Sequence, residues 1–274
     1  MPTSVPTPKA GSQHATLVGS RGEFSPGACV EYGPAGGDTH RTVFVDPGHG
    51  GPDPGAIGFA PDGTVLQEKT LALAVGLALR RNLQRAGYHV VLSRTKDEPV
   101  ARLFPSSQSN GSYSPQGVVR DLQARIDCAN AAHAQLLLSI HFDSFYDPVV
   151  GGAQSTYDPS RPFSSRSKRF ALLVQQSMLK DFRAHGWPVP DRGVVPDTQL
   201  SAPTLTSHGA HYGHLLELGP RDPGWLNRAS RMPGALAEPL FLSRPAEAEI
   251  AQSPIGQRIL ARAFTQAINQ YFTR

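Results

Sequence analysis

The sequence predicts an α/β fold in a single domain, and three observations carry that expectation. Two short apolar runs near residues 41 and 88 are separated by a helix-length amphipathic stretch, the spacing of a parallel crossover. The same alternation continues to the C-terminus. No linker-like break divides the 274 residues into halves.

Taken in order, residues 1–38 are rich in Pro, Gly, Ser and Thr and are expected to form a flexible N-terminal segment, leaving 39–274 as the folded domain. The stretch "RTVFVD" reads as a short buried strand. "EKTLALAVGLALRRNLQRAG" reads as an amphipathic helix: Leu71, Val75, Leu79 and Leu83 recur every four residues, and Gly87 sits where a C-terminal cap belongs. "YHVVLSR" is a second strand, and "LFPSSQSNGSYSPQG" at 103–117 has the composition of a flexible loop. A helix is expected over about 118–134, followed by "QLLLSIH" as a central strand. Then come "SSRSKRFALLVQQSMLKDFRAHG" as a helix, "GHLLELG" as a short strand and "PIGQRILARAFTQAINQYFTR" as a closing helix.

Composition narrows the function classes. With 39% hydrophobic and 18% charged residues the chain has the make-up of a soluble globular protein. It has no apolar run of about 18 residues, so no membrane insertion is expected. The net charge of +4 and pI near 9.2 come from scattered Lys and Arg, so no nucleic-acid stripe is expected, only a weak preference for an anionic polymer. The first residues lack the apolar core of a signal peptide, which suits a cytoplasmic protein or a mature form with an added Met1. Cys29 and Cys128 allow one bridge or none.

The residues that carry chemistry lie at the expected strand ends. His49, in "VFVDPGHGGPDPGAIG", and His141, closing "LLLSI", both follow predicted strands, and ligands bind at the carboxyl ends of strands in open α/β sheets. Glu68 adds a carboxylate at the start of the first helix. Two imidazoles and a carboxylate make a three-ligand zinc set with a fourth position open. The plainer alternative is histidines that bind nothing and a Glu placed to suit a helix N-terminus. Asp46 or Asp53 is a candidate to orient His49 through its second nitrogen, with ordinary turn chemistry as the alternative. Glu217 sits in an apolar run, where an ionised carboxylate is costly unless it is paired, for instance with Arg221, or serves as a general base beside a metal. His208, His211 and His214 precede it three residues apart. Strand alternation would put His214 and Glu217 on opposite faces, leaving His208 and His211 at the cleft mouth.

Taken together, "VFVDPGHGGPDPGAIG", "LQEKTLALAVGLALRRNLQRAGYHVVLSRTKD", "RIDCANAAHAQLLLSIHFDS", "DRGVV" and "LLELG" resemble the zinc-dependent N-acetylmuramoyl-L-alanine amidases of the AmiC and CwlV type, the amidase 3 family. The resemblance runs from about Arg41 to the end. It implies one zinc ion per chain held by His49, Glu68 and His141, with Glu217 as the catalytic glutamate. It further implies a mixed, roughly six-stranded sheet of the phosphorylase/hydrolase-like, zinc exopeptidase-like kind. The implied reaction cleaves the bond between N-acetylmuramic acid and L-alanine in peptidoglycan or muropeptides, by a monomer outside the cytoplasmic membrane. The chain departs from the family at Asp143, where Asn is usual. It also departs after Glu217, where the family continues Gly-Phe and then Ser-Asn but this chain reads "LGPRDPGWLN". A zinc carboxypeptidase or aminopeptidase, and a wall-binding module with a degenerate site, are the alternatives.

Overall fold

The computed structural model describes residues 15–18, 23–200, 204–205 and 211–273. Its strands are β1 (Ala15–Leu17), β2 (Ala28–Tyr32), β3 (Thr42–Pro47), β4 (Ile57–Phe59), β5 (Val65–Gln67), β6 (His89–Arg94), β7 (Gln108–Ser109), β8 (Ser112–Tyr113), β9 (Leu136–Ile140), β10 (Ala153–Tyr157), β11 (Asp191–Pro196), β12 (Thr204–Leu205), β13 (His211–Tyr212) and β14 (Gly234–Glu238). Its helices are α1 (Glu68–Arg85), α2 (Pro115–Ala131), α3 (Ser164–Ala184), α4 (Pro245–Gln252) and α5 (Pro254–Thr273).

Eight strands form the main sheet in the order β1-β2-β6-β3-β9-β14-β10-β11. The centre is parallel, β6 to β3 to β9 to β14, while β10 runs antiparallel to β14 and parallel to β11. The sheet is therefore mixed, with two more strands than the six expected. Side chains alternate between two cores, as the strand pleat requires. Val43 and Val45, Val90 and Leu92, and Leu136, Leu138 and Ile140 face α1, α3 and α5. Phe44, Val91 and Leu137 face α2, together with Ala124, Cys128 and Ala129 of that helix. Strands covered on both faces read as continuous apolar runs, which is why "VFV", "VVL" and "LLL" show no alternation in sequence.

Two sequence expectations are corrected. Part of the segment assigned to a flexible leader belongs to the fold: β2 pairs with β6, and Ala28, Cys29 and Val30 are buried. Cys29 is bonded to Cys128 of α2, so the one possible bridge forms. Small residues and a cysteine fill this edge, so the usual signal of large apolar groups is missing there.

The second correction concerns "GHLLELG", which is a turn and not a strand: Leu218 and Gly219 both donate their N–H to the Leu215 carbonyl. The strand beside β9 is β14, twenty residues further on, with Ala237 opposite Ile140. An apolar run this short cannot be told from a helical turn by periodicity. Side chains complete the turn's backbone pairing: Asp197 accepts from Leu215 N–H, and Arg161 donates to the carbonyls of Leu218 and Gly219.

Candidate metal centre

The carboxyl ends of β3 and β9 are in register, Pro47 opposite Ile140, so the next residues of both strands emerge side by side. That register is what brings His49 and His141 together: His49 Nε2 lies 3.1 Å from His141 Nδ1. Glu68, the first residue of α1, reaches both, with one carboxylate oxygen 3.0 Å from His49 Nε2 and the other 2.9 Å from His141 Nδ1. Backbone donors hold this carboxylate in place. Ala56 N–H donates to one oxygen at 2.7 Å and Phe142 N–H to the other at 2.8 Å.

His49 sits in a left-handed conformation, φ +60°, which a residue with a Cβ adopts only when its surroundings impose it. Three cations impose it here by gripping the carbonyls of the loop. Arg94 donates to Pro47 and Gly48, Arg125 to Pro47 and His49, and Lys69 to Gly51. Lys69 of the "EK" pair thus mounts the loop whose histidine faces Glu68. The neighbouring glycines supply clearance: a Cβ on Gly48 would lie 2.3 Å from the His141 ring, and one on Gly55 would lie 2.5 Å from Glu68.

Asp53 and Asp46, both candidates to orient His49, separate cleanly. Asp53 accepts from His49 Nδ1 at 2.8 Å, the contact that fixes an imidazole's tautomer and leaves Nε2 as the ligating atom. Asp46 does not touch His49. Fully buried, it pairs with Arg125 at 2.7 Å and accepts from Ser139 Oγ at 2.8 Å. Burial works against the charged form of His49, yet Glu68 and then Asp53 raise its pKa to about 10. Burial likewise opposes ionisation of Glu68, and the two histidines overcome it, holding the carboxyl well below the usual range. The site therefore calls for positive charge. Two imidazole nitrogens aimed at each other across a carboxylate are a donor set that fits a zinc-type cation.

The two glutamates need separate treatment. Glu217 is buried in its turn and lies on the Asp46 side of His141, within the same 4.8 Å group as those two residues. Burial and Asp46 raise its pKa, against His141 and Arg125. The positive groups that act on it are His141 and Arg125, and Arg221 instead donates to Asn227 O. The residue the sequence reading missed is Glu238, the last of β14. His141 N–H donates to the carbonyl of Ala237, so Glu238 starts level with His141 at the same sheet edge. Burial, then Asp143 and Glu68, push its pKa up to about 7 against the pull of His141. A signal for it was present, because "FLS" at 241–243 follows Glu238, the Phe and Ser that the family resemblance asks for and that are absent after Glu217.

These groups line one cleft of about 640 Å³, with Asp143, Leu215 and Tyr113 among its walls. Asp143 faces the same carboxylates as Glu238, and burial raises its pKa. Ser112 and Tyr113 of β8 bring the hairpin β7–β8, within the 103–117 loop, to the cleft. His214 turns away to Asp158 and Asp197. The strand-alternation reason for separating it from Glu217 falls with the strand. His208 lies outside the described residues, as does the side chain of His211.

A family model described as N-acetylmuramoyl-L-alanine amidase matches residues 43–270. The germination-specific N-acetylmuramoyl-L-alanine amidase of Bacillus subtilis is 28% identical over 233 residues, spanning 85% of this chain and 80% of that protein. The amidase AmiC of Neisseria meningitidis is 27% identical over 277 residues, covering 95% of this chain and 60% of its own length. Among solved structures, the CwlD amidase of Clostridioides difficile, determined in complex with the GerS lipoprotein, superposes with a TM-score of 0.63 at 25% identity. That match covers 85% of this chain and 98% of CwlD.

Proposed function

The chain belongs to the N-acetylmuramoyl-L-alanine amidase family, and from that premise we propose that it cleaves the N-acetylmuramic acid to L-alanine amide of peptidoglycan as a zinc enzyme. One observation carries this reading: His49, Glu68 and His141 present their donor atoms within 3.1 Å of one another at the carboxyl edge of the sheet, inside a cleft. These three residues would hold one zinc ion per chain. When bound, zinc supplies a Lewis acid that polarises the scissile carbonyl and acidifies water.

The protein's own groups do the rest. Asp53 keeps His49 in the ligating tautomer, and the backbone donors of Ala56 and Phe142 hold the Glu68 carboxylate in place. Glu238 is the general base and later the general acid: it ends β14 level with His141 and lines the cleft, where a carboxylate can take a proton from water and return it to the leaving amine of L-alanine. Glu217, grouped with Asp46 and His141 within 4.8 Å, acts on His141 through its charge. This assignment moves the catalytic role from Glu217 to Glu238.

The protein acts as a monomer on peptidoglycan or muropeptides outside the cytoplasmic membrane, where that polymer lies. The Cys29–Cys128 bond supports this location, since such bonds persist in oxidising compartments. No described helix is long and apolar enough to cross a membrane. The test is release of stem peptides from purified peptidoglycan by chelator-treated protein with and without added zinc. Activity restored by zinc supports the proposal, and undiminished activity in excess chelator contradicts it.

A further inference from the structure

A second set of metal-type donors lies away from the first and shares no residue with it. β10 and β11 are parallel neighbours with Tyr157 opposite Pro196, so the residues that follow them, Asp158 and Asp197, leave the sheet side by side. Both are almost wholly buried, at 2% and 0% exposure. Each commits one oxygen to a backbone N–H, Asp158 Oδ1 to Ser160 and Asp197 Oδ2 to Leu215. Each turns its other oxygen to the same atom. His214 Nδ1 is 2.9 Å from Asp158 Oδ2 and 3.3 Å from Asp197 Oδ1.

One ring nitrogen carries at most one proton and cannot satisfy two carboxylates. Here it bonds Asp197, and Asp158 Oδ2 is left buried with no hydrogen bond. A carboxylate oxygen buried without a hydrogen bond is costly. Arg161 is nearby, but its guanidinium is committed to Leu218 O, Gly219 O and Ser230. A divalent cation among the three ligand atoms, all within 4.8 Å, would satisfy them together.

We propose that Asp158, Asp197 and His214 bind a second, structural divalent cation of the zinc class. The imidazole argues against calcium or magnesium, which take oxygen ligands. The cation ties the ends of β10 and β11 to the segment that continues through Leu215 to Glu217, and so fixes one wall of the catalytic cleft from behind. The proposal is independent of the amide-cleaving reading.

The test is zinc stoichiometry of the full-length chain, stripped with chelator, reloaded with zinc, desalted and measured by elemental mass spectrometry. Wild type is expected to hold two zinc ions per chain. His49→Ala/His141→Ala is expected to keep one, and Asp197→Asn/His214→Gln to keep one. One ion in wild type overturns the proposal, as does none in the His49/His141 variant or two in the Asp197/His214 variant. If the Asp197/His214 variant fails to fold, the His49/His141 variant decides alone: one retained ion supports the second site and none overturns it.

Discussion

Replacing Glu238 with glutamine separates the two candidate bases. The change keeps the shape of the side chain and removes only its ability to take a proton. Loss of a general base costs roughly 10²- to 10⁴-fold in kcat, or about 2.7–5.5 kcal/mol of transition-state stabilisation. Glu217→Gln should act differently, because Glu217 is grouped with Asp46 and His141 and acts on His141 through its charge. Losing a charge beside a metal-binding histidine costs about 10- to 100-fold in metal affinity, which saturating zinc restores. The pH profile adds a second readout. A base works when deprotonated, so the rate rises with pH until Glu238 is ionised. Its pKa is about 7 in the metal-free chain, and a neighbouring divalent cation favours the ionised form, so the acid limb of the loaded enzyme falls at or below neutral pH. Glu238→Gln should abolish that limb, and Glu217→Gln should keep it. The assay is the initial rate on a defined muropeptide at saturating zinc across this range. A Glu238→Gln protein within tenfold of wild type, beside an inert Glu217→Gln protein, would refute the assignment.

Two further outcomes concern the scaffold. Arg125 is 1% exposed and pairs with buried Asp46 and Asp121 while holding the carbonyls of Pro47 and His49. Arg125→Met strands two buried carboxylates and should cost about 3–5 kcal/mol, read as a lowered urea midpoint; an unchanged midpoint would show that the network contributes nothing. The Cys29–Cys128 bond closes a loop with a sequence separation of 99. Chain entropy alone assigns such a loop about 4.7 kcal/mol, so the double Cys→Ser protein should melt roughly 10 °C or more below wild type.

The grouping of His49, Glu68 and His141 was legible in the sequence because each sits where local rules place it. His49 and His141 follow apolar runs that form strands, and Glu68 opens a helix whose four-residue apolar spacing is plain. Asp53 was readable only as one of two equal candidates, since the choice between it and Asp46 depends on which way each side chain leaves a turn. Glu238 was passed over in favour of Glu217 for a physical reason. Both lie in short apolar runs, and only pairing partners tell that "HLLELG" is a turn closed by Arg161 and Asp197 while "GALAE" is the strand beside β9. Strand β2, second from the sheet edge, was hidden because small residues and a disulfide, not large apolar side chains, pack it down. The Asp158, Asp197 and His214 set was unreadable for a similar reason: it depends on the register of β10 with β11, which no spacing reveals.

The most direct measurement is mass spectrometry of the products formed from a defined muropeptide with zinc and then with chelator. The account predicts intact stem peptides with a free L-alanine amino group and unsubstituted N-acetylmuramic acid, formed only when zinc is present. A surviving sugar-to-peptide bond alongside a cut within the stem peptide would contradict it.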